Sequence, residues 1–253
     1  SNKVAHEIFG NMQMNKYFFL IFFSLPIFAE NEIYVDQSGS NATIDLEQLG
    51  SSNLIGGTSA VSGTMTALDL DGTTMALDIN QIGSSNIFRS DAIDGDNFTG
   101  FFEFDGDSNV WDVLMNSTGL ITADYVDLNI DVTGSSNEAD IKIGENANSS
   151  YLNLDWIILG DSNELDFDID YENATNYMDI NGSTNTINFT GSGYSGNTAA
   201  TSAYFNLDLD GSSNTMNITQ ASTLARDWLQ VIANTSNSNI CIIQNDGGTT
   251  TSC

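Results

Sequence analysis

Aspartate pairs beside glycines are the residues of this chain whose type and spacing could bind a metal. The pairs are Asp69 and Asp71, Asp94 and Asp96, and Asp208 and Asp210. Two carboxylates near a turn supply the hard oxygen ligands that calcium prefers. None of these segments matches the calcium loop of helix–loop–helix proteins, and the glycine-rich nonapeptide of calcium-binding rolls is missing. The six aspartates are therefore weak calcium candidates, and no other cofactor is expected.

The composition argues against most other chemistry. The chain has 34 Asp or Glu, five Lys or Arg, and one histidine, His6. A polysaccharide lyase needs a basic side chain to abstract a proton, and a nucleic-acid-binding protein needs cations to neutralise phosphates. A glycosidase needs only two carboxylates, but the acidic residues here recur at alternate positions, which is typical of a solvated strand face. We predict that the protein is not an enzyme and does not bind nucleic acid.

Residues 14–29 have the pattern of an export signal. A short basic start at Met14–Lys16 precedes an apolar run from Tyr17 to Phe28, and Ala29 stands at the expected cleavage position. The run is too short to span a bilayer, so it indicates a cleaved signal peptide. Residues 1–13 are expected to lie outside the native protein. After cleavage 33 acidic and three basic residues would remain, a net charge of −30. We predict a secreted or cell-surface protein without membrane insertion.

Two cysteines, Cys241 and Cys253, lie near the C-terminal end of the sequence. Disulfides form in exported proteins, and the glycine- and threonine-rich segment between these cysteines would allow the chain to fold back. The sequence therefore predicts a disulfide that closes residues 240–253 into a cap. Free thiols and intermolecular pairing remain the alternatives.

A glycine-centred tetrapeptide recurs along the chain. Its copies begin at Gly50, Gly83, Gly106, Gly134, Gly160, Gly182 and Gly211 and end at Asn53, Asn86, Asn109, Asn137, Asn163, Asn185 and Asn214. Gly39-Ser-Asn41 is a shorter relative. The motif glycines are separated by rough multiples of about 11 residues, which indicates a stacked repeat fold. Each motif is predicted to form a tight arc whose glycine adopts backbone angles that other residues disfavour.

Apolar and polar residues alternate on both sides of each arc. Leu207 and Leu209 precede Gly211, for example, and Met216 and Ile218 follow it. Period two with one apolar side predicts half-buried strands. By this parity the arc asparagines face the core, as do Phe102, Phe104, Trp111, Trp156 and Phe167. An isolated rung of two strands would bury too little apolar surface to offset its entropy cost, so the rungs must stack. We predict an all-β solenoid of roughly eight or nine two-stranded rungs over residues 30–239; Trp228 does not fit the pattern.

Three glutamines add a family resemblance. Gln48-Leu-Gly50-Ser-Ser-Asn53 and Gln81-Ile-Gly83-Ser-Ser-Asn86 resemble the Gln-x-Gly-x-x-Asn core of curlin repeats, and Gln37 precedes the shorter Gly39 motif. The resemblance implies a β-solenoid, secretion by a Gram-negative bacterium and polymerisation into amyloid fibres of the biofilm matrix. It also implies cell-surface or secretion factors as partners. From Gly106 onward an apolar residue replaces the glutamine, so later rungs depart from the pattern.

Self-association is the function that these features together predict. We expect a secreted structural subunit whose solenoid copies stack end to end into a fibre or matrix. Because adjacent outward aspartates repel one another, the sequence predicts slow polymerisation at low salt and faster growth with NaCl, with calcium more effective at equal ionic strength. The alternative is a monomeric cell-surface adhesin or calcium-modulated binding module on the same fold.

Overall fold

The computed structural model describes residues 32–56, 68–115, 125–144, 151–171, 173–193, 202–221 and 226–245. Over these residues the chain forms seventeen β-strands and no helix. The strands pair in parallel, each with strands from the turns before and after it. They stack as a β-solenoid, so the predicted all-β class and architecture are confirmed. None of the described residues belongs to a helix that could cross a membrane.

The strands form two faces joined by the glycine-centred arcs. The long face contains β2 (Asp36–Ser38), β3 (Ala42–Leu49), β5 (Leu68–Ile82), most of β6 (Ile87–Asp105), β8 (Tyr125–Thr133), β10 (Tyr151–Leu159), β12 (Asn173–Asn181), β14 (Ser202–Ser212) and β16 (Arg226–Ser236). The short face contains β1 (Glu32–Ile33), β4 (Leu54–Ile55), the start of β6, β7 (Val110–Met115), β9 (Glu138–Ile143), β11 (Glu164–Tyr171), β13 (Thr186–Gly193), β15 (Thr215–Ala221) and β17 (Asn239–Asn245).

A complete rung consists of a long-face strand, an arc and a short-face strand. Six successive rungs, from β6–β7 to β16–β17, have a strand of at least six residues on each face. Two less regular rungs precede them, because β4 has two residues and β6 contributes only Ile87–Arg89 to the short face before crossing over. The described solenoid therefore has about six full turns. The prediction of eight or nine rungs was slightly too high because it included these irregular N-terminal turns as complete rungs.

The shorter glycine motifs mark a second bend rather than further arcs. Gly39 lies opposite Gly72, and Gly72 is paired with Gly95, all within the long face of the first three rungs. Each of these glycines precedes an arc glycine by 11 residues, as Gly39 precedes Gly50. The 11-residue spacing in this region thus separates two bends of one rung, and Gly39 does not belong to the main column of arcs.

Alternate residues of every strand fill the core between the faces. In β10, Leu152, Leu154, Trp156 and Ile158 are at most 3% exposed, whereas the residues between them face outward. The five aromatic side chains expected to face the core are all buried. Phe104 stacks on Trp111 at a centroid distance of 4.1 Å. The apolar core is continuous from Ile55 to Ile218.

Candidate functional site: the arc column and the two ends

The arc glycines stack directly on one another along the solenoid. Six of them, Gly50, Gly83, Gly106, Gly134, Gly160 and Gly211, have φ between +127° and +145°, a region that side chains rarely adopt. At Gly134 an added Cβ would collide with the carbonyl oxygen of Gly106 and lie 2.6 Å from its carbonyl carbon. The same collision recurs at every arc from Gly83 to Gly211. Backbone therefore packs on backbone, which excludes any side chain at these positions.

A second column is formed by the arc asparagines, all of which are at most 1% exposed. The backbone N–H of each donates to the Oδ1 of the next, at 3.1 Å for Asn53 to Asn86 and 2.9 Å for the five links from Asn86 to Asn214. Several amide nitrogens also donate to arc carbonyls, as Asn185 Nδ2 does to the Gly160 oxygen at 3.0 Å. The column replaces water with fixed hydrogen bonds inside the core and ties each rung to the next.

The column ends in a modified arc at the C-terminal rung. Strand pairing places Thr235 below Gly211, and the N–H of Asn214 donates to Ser238 Oγ at 3.0 Å. Thr235 and Ser238 thus occupy the glycine and asparagine positions of an eighth arc, and their hydroxyls are hydrogen-bonded to each other. The sequence pattern does not reveal this arc, because threonine replaces its glycine and serine replaces its asparagine.

The curlin-like glutamines lie at two different places. Gln48 and Gln81 are buried and paired across β3 and β5, with Gln81 Nε2 donating to Gln48 Oε1 at 2.9 Å. Each also donates to a carbonyl at the start of the short face, at 3.2 Å. Gln37 instead lies in the column of the second bend, opposite Leu70. A second glutamine pair, which was not predicted, lies near the other end of the solenoid, where Gln244 Nε2 donates to Gln220 Oε1 at 2.8 Å.

The calcium candidates are only partly brought together. Pairing of β5 with β6 sets Asp71 opposite Asp94, and pairing of β12 with β14 sets Asp208 opposite Asp179 rather than opposite another candidate. Asp69 and Asp96 are partly buried, and Asp210 is exposed beside Asn181. Among the described residues no group of three or more acidic, histidine or cysteine side chains could hold a metal ion. Calcium binding stays a prediction.

Asp179 shows the cost of crowding carboxylates on the long face. Asp179 is exposed, yet partial desolvation by its surroundings raises its pKa above the ordinary value, and Asp208, Asp210 and Asp155 raise it further. The folded state therefore binds the Asp179 proton more tightly than the unfolded state does. As a result, the folding stability rises as the pH falls from above the folded-state pKa of Asp179 toward its unfolded-state pKa near 4.

We therefore expect Asp179→Asn to stabilise the protein at neutral pH by about 0.2–1 kcal/mol, because like charges on adjacent strands destabilise a sheet by this amount. Urea unfolding at several pH values measures the effect, and the gain should shrink as the pH falls. A variant less stable than wild type at neutral pH would show that Asp179 makes a favourable contact.

Other expected features lie partly outside the described residues. The export signal at 14–29 and residues 1–13 are not described, and neither is Cys253. Cys241 lies on β17 at an outward position, opposite Asn217, yet is only 8% exposed. The disulfide and the cap at 240–253 stay predictions. Trp228, which the sequence pattern did not place, lies opposite Tyr204 on the long face and is 56% exposed.

Both ends of the described solenoid present core residues that are only partly buried. At the N-terminal end these are Ile33, Val35, Ala42, Ile44 and Leu46, and at the C-terminal end they are Leu229, Val231 and Ile240. Ile242 faces the core column below Ile218 but is 41% exposed. Within the described residues β16 pairs only with β14, and β17 only with β15. Each end therefore combines a strand edge with apolar surface.

No protein-family model matches this chain, and no curated protein or solved structure matches it either. The curlin resemblance thus rests on the motif residues themselves. The structural features that bear on function are the arc column, the two ends and the outward surfaces.

Proposed function

We propose that this protein is a secreted structural subunit of an extracellular amyloid-like fibre or biofilm matrix, in which solenoid copies stack end to end. The observation that carries the proposal is the pair of ends of the described solenoid, each with half-buried core side chains and a strand that pairs on one side only within the described residues. Unpaired strand edges are templates for pairing with another chain, and long natural sheets normally protect them. On the long face a second copy would continue the same parallel pairing, and on the short face its β17 would take the place of β1, which pairs with β4 at Leu54 and Ile55.

The columns of the solenoid specify how two copies would meet. One outward column runs through Thr43, Ala76, Thr99, Asp127, Asn153, Thr175, Tyr204 and Trp228. If the stack continues in this register, Trp228 of one copy lies opposite Thr43 of the next. Leu229 then packs against Ile44 and Val231 against Leu46, so the apolar core becomes continuous across the junction.

The charge distribution favours this junction. The C-terminal rung, from Arg226 to Asn245, has one acidic residue, Asp227, whereas β11 alone has four. On the N-terminal rung Asp45 and Glu47 are exposed. In the continued register they face Gln230 and Ile232 rather than other carboxylates. Repulsion between copies is then long-range, so it is screened once the Debye length falls to about 8–10 Å.

Electron microscopy and light scattering of the mature protein test the proposal. We expect unbranched fibres at physiological salt, slower growth at low salt, and a fibre-diffraction spacing of about 4.7–4.9 Å along the axis. Gln230→Asp should slow growth severely, because it opposes Asp45 at the junction, whereas in the monomer it removes only the exposed 3.2 Å hydrogen bond that Tyr204 donates to Gln230. Ser84→Asp is the matched control, since it adds the same charge at an exposed arc position that is Asp in two other arcs.

The controls separate assembly from folding. Both variants should retain the thermal unfolding midpoint of the wild type, because both side chains are exposed. A wild-type protein that stays monomeric across NaCl and calcium would contradict the fibre proposal and favour the monomeric adhesin. Equal slowing by the two aspartate variants would contradict the proposed junction.

A further inference from the structure

Outward tyrosines on the long face form a feature that end-to-end stacking does not use. Tyr125 of β8 and Tyr151 of β10 are 56% and 51% exposed. Their rings stack with centroids 4.8 Å apart and an interplanar angle of 11°. Contiguous exposed apolar surface marks interaction sites, and tyrosine is suited to them because it joins an apolar ring to a polar hydroxyl.

A cleft of about 270 Å³ lies beside this pair and spans β8, β10 and β12. Its polar lining consists of Asp127, Asn153, Asn173 and Thr175. Asn153 Nδ2 donates to Asp127 Oδ1 at 2.9 Å, which holds both side chains in place. The cleft thus sets aromatic rings beside fixed carboxylate and amide groups. Because each tyrosine covers one face of the other, only the outer faces and the edges of the pair are free. A sugar ring matches this combination, since its C–H face packs against a free aromatic face and its hydroxyls hydrogen-bond to carboxylates and amides.

The surroundings of the cleft are acidic and favour a positively charged ligand. Asp131, Asp155 and Asp179 lie on the same three strands and the same outward side. The described outward side chains of β8, β10 and β12 include no lysine or arginine. Burial and the neighbouring Asp155 raise the pKa of Asp131, as crowding does for Asp179. A ligand that brought ammonium groups to this surface would relieve the repulsion, and tyrosine rings also attract cations.

We propose that the Tyr125–Tyr151 cleft binds an amino-sugar polysaccharide with free ammonium groups. Its sugar rings pack beside the two tyrosines, its hydroxyls bond to Asn153 and Asn173, and its ammonium groups approach Asp127 and the neighbouring aspartates. The polymer would lie across the strands, along the solenoid axis, and meet a new strand about every 4.7–4.9 Å. This spacing is close to the length of one sugar residue. The proposal is independent of fibre formation, because a monomer already contains the whole cleft.

Calorimetric titration with a glucosamine hexamer at physiological salt tests this site in the Gln230→Asp background, which is expected to stay monomeric under these conditions. The double variant Tyr125→Ala/Tyr151→Ala should lower the affinity about tenfold or more without changing the charge. Leu159→Ala is its control, since Leu159 is exposed on the same face but distant from the cleft. Asp127→Asn should weaken binding several-fold, whereas Asp166→Asn, with the same charge change on the short face, should leave it unaltered.

Two further ligands distinguish the site from diffuse attraction. The N-acetylated hexamer, which has no ammonium groups, and hexalysine, which has no sugar rings, should both bind more weakly than the glucosamine hexamer. Absence of binding by the glucosamine hexamer would overturn the proposal. Equal binding of hexalysine, or equal losses from Asp127→Asn and Asp166→Asn, would also overturn it and leave only a diffuse acidic surface.

Discussion

Gly134→Ala is expected to destabilise the folded monomer by about 2–6 kcal/mol. A φ of +132° disfavours any residue with a Cβ by about 1–3 kcal/mol. The new methyl group would also collide with the carbonyl group of Gly106 in the arc above, and overpacking against rigid backbone costs about 1–3 kcal/mol more. Neither the new methyl group nor the Gly106 carbonyl group can move away without disturbing the hydrogen bonds of two rungs.

Gly50→Ala is the matched control for this prediction. Gly50 has nearly the same φ, +127°, but the nearest atom to an added Cβ is Asn53 Nδ2 at 3.7 Å, an ordinary contact. Its cost should therefore be the conformational term alone, about 1–3 kcal/mol. Chemical denaturation of both variants measures the difference. Equal losses at Gly50 and Gly134 would show that the arcs do not stack as described.

Ile158→Asn is expected to cost about 3–5 kcal/mol, because it removes a buried aliphatic side chain and buries an amide without partners. Ile158 is 1% exposed and packs in a column with Val132, Ile180 and Leu209. The adjacent Ile157 is 36% exposed on the outward side, so Ile157→Asn should change stability by less than about 1 kcal/mol.

The pair Ile157 and Ile158 tests the inside–outside assignment with the same chemical change at neighbouring positions. Thermal and urea unfolding should give the same order of stability. A larger loss at Ile157 would reverse the assignment of the two sides of β10.

The alternation of apolar and polar residues was sufficient to predict the strands and their inward sides. It succeeded because side-chain direction in a strand has period two, so apolar residues at alternate positions, such as Trp156 and Ile158, are the buried ones. The glycine and asparagine arcs were also recognisable, because only glycine tolerates both the φ at these positions and the contact with the next arc. These local constraints leave a direct signature in the residue types.

The rung count and the ends were harder to predict. Gly39, Gly72 and Gly95 resemble arc glycines in sequence, but their column lies within the long face, which only strand pairing reveals. The left-handed backbone of residues such as Ser136, with φ of +60°, also has no sequence signature, since serine is unusual in this conformation.

The outward tyrosine cleft could not be predicted from spacing. Tyr125 and Tyr151 are 26 residues apart, and Asn173 follows at a different interval because the connecting segments vary in length. Their proximity depends on which residues oppose one another in successive rungs. Pairwise register across stacked strands is a tertiary property, and sequence alternation alone does not specify it.

Disulfide trapping across the junction tests the central claim, the head-to-tail stacking of copies, most directly. Thr43→Cys and Trp228→Cys, each in a background with Cys241→Ser and Cys253→Ser, place one thiol on each end, at positions that oppose each other in the continued register. Neighbouring strand positions lie within the Cα separation of about 4.4–6.8 Å that a disulfide requires. Mixing the two variants under mild oxidation should give a covalent heterodimer, and neither variant alone should dimerise. Dimers formed by Thr43→Cys alone, or an absence of cross-links in the mixture, would contradict end-to-end assembly in this register.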